Sequence, residues 1–150
     1  MDIKFIDGNI FSRLSASKPT YICQQVNCKG VMGAGLAMQI RSQWPVVYQR
    51  YLEFCYGNNG NKLGTYQEVL VEPKLYVVNL FGQNGYGRGE RQTNYAALAA
   101  ALFSFFRLRS KESERNRPAA IWFRLRPCRR RLGHGSGHHQ RCSKSLESEC

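Results

Sequence analysis

The chain has 150 residues, 43% of them hydrophobic, which is enough for one domain with a buried core. Its formal net charge of +12 would by itself suggest a nucleic-acid partner, but residues 1–106 hold ten basic and six acidic side chains, while 107–150 hold twelve and four, together with all three histidines. No apolar run is long enough to span a bilayer, and the six cysteines do not form the pattern of a secreted disulfide framework.

In chain order, Ile3, Phe5 and Ile6 predict a short first strand stopped by Asp7-Gly8-Asn9. The start, Met1-Asp2-Ile3-Lys4, does not read as a secretory leader, so a reduced, cytoplasmic setting is expected. Tyr21–Val26 predicts a buried strand containing Cys23, followed at once by the glycine-rich run Asn27-Cys28-Lys29-Gly30-Val31-Met32-Gly33-Ala34-Gly35. From Leu36 the apolar residues Ile40, Trp44, Val47, Tyr48, Tyr51 and Leu52 recur at helical spacing. Pro45 should break or restart that helix, and Cys55 falls at its end. Gly57–Asn61 is a turn. Strands are predicted over Thr65–Val71 and Leu75–Leu80, then a polar loop over Gly82–Arg91. Thr93 is the expected N-cap of a helix through Tyr95, Leu98, Ala101, Leu102 and Phe105. Alternating strands and helices predict an α/β sheet with helices on its faces.

A strand, a glycine-rich turn and a helix start can bind phosphate. Glycines let the backbone approach an anion, and the helix N-terminus adds free donors and partial positive charge. Gly30, Gly33 and Gly35 are spaced for this. They are equally what a tight strand-to-helix turn needs, and the run is neither a Walker loop nor a dinucleotide fingerprint.

Gly8-Asn9-Ile10, the run from Gln25 through Ala37, then Asn79-Leu80-Phe81-Gly82-Gln83, Tyr86-Gly87-Arg88 and Arg91–Leu98 together resemble the macrodomain signature. The resemblance covers residues 1 to about 106. It is to bacterial and phage members of the branch that contains terminal ADP-ribose protein glycohydrolase. It implies a three-layer α/β/α fold with a mixed central sheet, and a monomer that binds ADP-ribose or an ADP-ribosylated molecule without metal or cofactor. Gly8, Asn9 and Ile10 would sit by the adenine, Asn27 would face the distal ribose, and Gly30, Val31, Met32, Gly33, Ala34, Gly35, Leu36 and Ala37 would wrap the diphosphate. Gln83, Arg88 and Arg91 would line the distal end, although loop charges are usually only solvated. Asn27 also has a local role open to it, bonding nearby backbone at a strand end. Lys29 reads as a solvated turn lysine, Cys28 as packing, and Gln24 and Gln25 as strand and rim residues.

The resemblance to the glycohydrolase branch implies a catalytic lysine where Phe81-Gly82-Gln83 stands and a catalytic aspartate in a second loop resembling Pro-Tyr-x-x-Gly-Cys-Gly-Leu-x-Gly-Gly-Asp-Trp, which is absent. Reader and hydrolase both stay open. A hydrolase would use a positioned water, with Asn27 as the catalytic candidate, and ADP-ribose 1″-phosphate would be the first substrate to test.

Residues 107–150 follow no helix or strand period, Trp122–Arg131 included. Back-translated and started one base later, with permitted wobble bases, Trp122–Leu132 can encode Gly-Phe-Gly-Cys-Gly-Leu-Ala-Gly-Gly-Asp-Trp, with Pro-Tyr before it. Gly133–Ser143 can encode Asp-Thr-Val-Ala-Ala-Ile-Ile-Lys-Asp-Val-Leu, a helix-like run. The expectation is a shift of frame between about Arg107 and Lys111 that leaves the C-terminal strand and helix missing or scrambled, and a chain of poor stability. Three rivals are an inactive truncated product, a nucleic-acid-binding tail built on Arg124, Arg126, Arg129, Arg130 and Arg131 with Trp122 and Phe123, and a zinc site from Cys128, His134, His138, His139 and Cys142, whose spacing matches no standard finger.

Overall fold

The structure is a computed structural model that describes residues 8–14, 19–57, 60–87, 89, 91–111 and 120–123. The expected first strand, Arg88 and everything beyond residue 123 lie outside the described residues, and so do the zinc candidates and the tail arginines.

A 3-10 turn, Ile10–Arg13, leads to β1 (Thr20–Asn27), α1 (Gly35–Gln43), α2 (Pro45–Tyr56), β2 (Tyr66–Glu72), β3 (Leu75–Gln83), α3 (Tyr95–Arg109) and β4 (Ala120–Phe123). The sheet order is β2-β3-β1-β4. β1 runs parallel to β3 and to β4, and β2 runs antiparallel to β3. β1 is buried along nearly its whole length because it is a central strand covered on both faces, which is why it reads as a continuous apolar run rather than an alternating one.

Alternation along the strands divides the core into two layers. Ile22, Val26, Val77 and Phe81 pack against Ile40, Trp44, Val47 and Tyr51 of α1 and α2. Tyr21, Cys23, Val78 and Leu80 pack against Ala101 and Phe105 of α3. The result is a helix–sheet–helix sandwich with a mixed sheet. On the α1/α2 side a polar ladder crosses three strands. Gln24 Nε2 donates to Asn79 Oδ1 (2.7 Å), Asn79 Nδ2 to Gln67 Oε1 (3.0 Å), and Gln67 Nε2 to the Arg50 carbonyl (2.7 Å). The ladder ends toward β4 on Gln24 Oε1, which has no partner among the described residues; nor does the buried Trp122 Nε1.

The helix restart at Pro45 is as expected. Pro45 takes a first-turn position, where its missing N–H costs nothing. The Trp44 amide closes α1 on the Ile40 carbonyl (2.8 Å), and the Trp44 indole donates to Glu72 Oε1 (3.0 Å).

Two expectations are corrected. The N-cap of α3 is Asn94, not Thr93: Asn94 Oδ1 accepts from the Ala97 amide (3.0 Å), while the Thr93 hydroxyl accepts from Gln25 Nε2 (2.9 Å). Both are cap-forming types, and the tie to β1 takes Thr93 out of that role. Ala120–Phe123, read as aperiodic, forms β4 and pairs from Thr20↔Ala120 to Cys23↔Phe123. Four residues are too few to show a period, and the open edge of β1 supplies the backbone partners. Helix α3 also runs past residue 106. Arg109 turns back to the Tyr21 hydroxyl (3.0 Å) and to the Glu68 carboxylate. No described helix is long and apolar enough to cross a membrane.

Candidate functional site

β1 and β3 are adjacent and parallel, yet the helices that follow them leave on opposite faces, α1 on one and α3 on the other. In open α/β sheets, ligands bind beyond the carboxyl ends of strands whose connections leave on opposite faces, which here are β1 and β3. The glycine-rich turn follows β1 there. The end of β3, at Gln83, lies beside it, and the Cys28 amide donates to the Gln83 carbonyl (2.9 Å).

Asn27 organises the turn. Its Nδ2 donates to the Val31 carbonyl (2.7 Å), and its Oδ1 accepts from the Lys29 amide (2.9 Å) and the Val31 amide (3.2 Å). Below it, the Tyr51 hydroxyl of α2 lies 2.6 Å from the Asn27 carbonyl and 2.9 Å from Oδ1. Asn27 is thus buried and holds its own loop, the local role its position allowed. Sequence reasoning missed Tyr51 as part of the site. It occupies an ordinary core position of an amphipathic helix, and nothing in the spacing marks its hydroxyl as different. Burial is the main force that holds the Tyr51 hydroxyl well above the usual tyrosine range.

The glycines are not equivalent. Gly30 has φ +74°, and a Cβ there would sit 2.9 Å from Leu52 Cδ2 and 3.0 Å from the Tyr56 hydroxyl. It is required by the turn itself. At Gly33 a Cβ would meet nothing closer than Val31 Cγ1 at 3.9 Å, so the fold does not need that glycine. Gly33, Ala34 and Gly35 are exposed, whereas Met32 is buried in the core and Leu36 and Ala37 are half-buried against it. Ala34, at the N-cap of α1, provides no side-chain cap, so the first amides of that helix are unclaimed by a side chain. The accessible stretch of the turn is therefore main-chain N–H next to a helix start.

Of the other expected residues, Gly8 is exposed at φ 133°. Asn9 caps the 3-10 turn by accepting from the Phe11 amide (3.1 Å), and Ile10 packs on the α1/α2 core. Gln24 is committed to the buried ladder and Gln25 to Thr93. Cys28 is half-buried and Cys55 buried, and desolvation raises both thiols first of all, so neither is prepared as a thiolate nucleophile. Phe81 is buried and stacks on Phe54 with ring centroids 4.9 Å apart.

No family model matches the chain. It is 26% identical over 99 residues to an ADP-ribose 1″-phosphate phosphatase of the yeast Meyerozyma guilliermondii, an alignment covering 57% of this chain and 56% of that one. The chain thus spans about half the length of this curated relative. Among solved structures it superposes on a macrodomain protein of Streptomyces coelicolor with a TM-score of 0.58 and 25% identity, over 84% of this chain and 76% of that one. This is a macrodomain fold. Another solved structure, Thermosipho africanus DarTG in complex with ADP-ribose, superposes with a TM-score of 0.52 and 17% identity over 63% of this chain and 27% of the other. The described residues thus carry a mixed four-stranded sheet flanked by three helices, as in that fold.

Proposed function

We propose that the chain binds ADP-ribose, with the diphosphate held by main-chain amides between Gly30 and the first turn of α1. The carrying observation is the exposed, uncapped run Gly33–Gly35 beside Asn27, at the strand ends where the sheet opens. Gly33 supports this reading, because a glycine the fold does not require is accounted for by close approach of a ligand. Gly8, Asn9 and Ile10 take the adenine end, and Gln83 the distal end. Asn27 acts as a positioning residue that fixes the direction of the loop amides.

Hydrolysis of ADP-ribose 1″-phosphate is the second reading, favoured by the relative that carries that name. Calorimetry with ADP-ribose and phosphate release from ADP-ribose 1″-phosphate separate the two: binding without release is a reader, release is an enzyme, and neither overturns the reading.

Residues beyond about 107 are proposed to be out of frame. Among the described residues the buried polar atoms Gln24 Oε1 and Trp122 Nε1, toward β4, have no partner, which supports this, since native interiors pair such groups. The gene's nucleotides decide it: codons unable to give the second glycine-rich loop one base later would end the idea. A cooperative thermal transition at an ordinary mesophile midpoint would contradict the expected low stability. Free thiols at Cys23, Cys28 and Cys55 support a cytoplasmic setting.

A further inference from the structure

The glycine-rich turn rests on α2, and its deepest point of contact there is a side chain that no ligand can touch. Tyr51 is 0% exposed. Its ring packs against those of Phe81 and Tyr48, with centroids 5.9 Å and 6.4 Å away, so the hydroxyl it carries has a fixed place. That hydroxyl lies 2.6 Å from the Asn27 carbonyl and 2.9 Å from Asn27 Oδ1. A phenol has one proton to donate, and here it serves both oxygens of one residue. Farther along α2, the Tyr56 hydroxyl donates to the Lys29 carbonyl at 3.3 Å.

This contact sits where the backbone changes course. β1 slips its register against β3 between Val26 and Asn27, and the Asn27 carbonyl accepts from Tyr51 at that step. On the side chain, Asn27 Oδ1 meets three donors: the Lys29 amide (2.9 Å), the Val31 amide (3.2 Å) and the Tyr51 hydroxyl. A carbonyl oxygen has two lone pairs, so Oδ1 is fully claimed and keeps none for a ligand. Asn27 Nδ2 closes the loop on the Val31 carbonyl at 2.7 Å. With both ends of this short loop anchored on Asn27, and Asn27 anchored on Tyr51, the heading of the exposed run Gly33–Gly35 is set from inside the core.

Resting on the reading that the turn holds the diphosphate of ADP-ribose, we propose that Tyr51 is a positioning residue for ligand selection: its buried hydroxyl aims the turn amides through Asn27, and so sets how strongly the chain prefers a pyrophosphate-bearing nucleotide over the bare nucleoside. Hydrogen bonds from fixed amides to an anion depend steeply on direction. The adenine end, at Gly8–Ile10, has no such link to Tyr51 among the described residues, so loss of the hydroxyl weakens the grip on the pyrophosphate and spares the nucleoside.

The test uses the full chain, with ADP-ribose affinity read by calorimetry and adenosine affinity by NMR titration. Tyr51→Phe weakens ADP-ribose about ten-fold and adenosine by less than about two-fold. Tyr48→Phe removes a hydroxyl from the same helix without touching Asn27, and changes neither. Because Tyr51 acts through Asn27, the double variant Asn27→Ala with Tyr51→Phe loses no more ADP-ribose affinity than Asn27→Ala alone. Should Tyr51→Phe fail to fold, Tyr51→4-aminophenylalanine keeps the ring and a donor, and shows a smaller loss confined to ADP-ribose. ADP-ribose affinity that stays within two-fold of wild type in the position-51 variant, an equal loss for both ligands, or additive losses in the double variant overturns the proposal. Failure of the wild type to bind ADP-ribose at all removes the underlying reading instead, and is distinguished by that first titration.

Discussion

Gly30→Ala puts the architecture of the turn to a quantitative test. Gly30 sits at φ +74°, where a side chain costs roughly 1–2 kcal/mol. Its new methyl would also lie 2.9 Å from Leu52 Cδ2, 3.0 Å from the Tyr56 hydroxyl and 3.2 Å from Tyr56 Cε2. All three are far ends of side chains that can give way. Tyr56 is exposed and can swing out, losing its 3.3 Å contact with the Lys29 carbonyl. Leu52 must change its packing, at a cost of about 1 kcal/mol, the low end for overpacking. The expected total is about 2–3 kcal/mol, the sum of the backbone and crowding costs. Gly60→Ala is the matched control, because Gly60 has φ +66° and nothing within 4 Å of the added carbon, leaving only the backbone cost. Urea unfolding of both variants measures the difference, with the m-value unchanged. If Gly30→Ala costs no more than Gly60→Ala, the close seating of the turn on α2 is wrong.

Gly33→Ala meets no atom nearer than 3.9 Å, so its stability should stay within about 0.5 kcal/mol of wild type; ADP-ribose affinity measured by calorimetry should nevertheless drop, and unchanged affinity would remove Gly33 from the ligand surface. Tyr51→Phe deprives the buried Asn27 carbonyl of its 2.6 Å donor and should cost about 1–3 kcal/mol in chemical denaturation, with the Lys29 and Val31 amide resonances shifting; a neutral effect would separate α2 from the turn. Cys23 gives a pH dependence. Burial raises its thiol in the folded state, so its contribution is fully present below the unfolded thiol value of about 8.5 and is lost as pH rises above it, by up to about 1.4 kcal/mol per pH unit. Cys23→Val should flatten that alkaline slope, and an unchanged slope would assign it to other groups.

The sequence made the central strands and the helix restart legible because each has a strong local cause. β1 is an apolar run between turn residues, and Pro45 can only begin a helix, not continue one. The glycine-rich turn was legible as a phosphate-type loop, yet the division of labour within it was not. Only three-dimensional contacts distinguish Gly30, hemmed in by Leu52 and Tyr56, from Gly33, which faces open space. Asn94 and Thr93 are both cap types one residue apart, and a bond from a residue 68 positions away made the choice. The same holds for β4, whose four residues become a strand because β1 offers an open edge. Local rules name elements; long-range partners decide their ends.

The central claim is that main-chain amides at the head of α1 hold a pyrophosphate. An amide-resolved NMR titration of the chain with ADP-ribose tests it most directly. The account predicts large shifts at Gly30, Val31, Gly33, Ala34 and Gly35, with smaller ones at Gln83. Shifts confined to α3 and the β2 edge, with the turn silent, would contradict it.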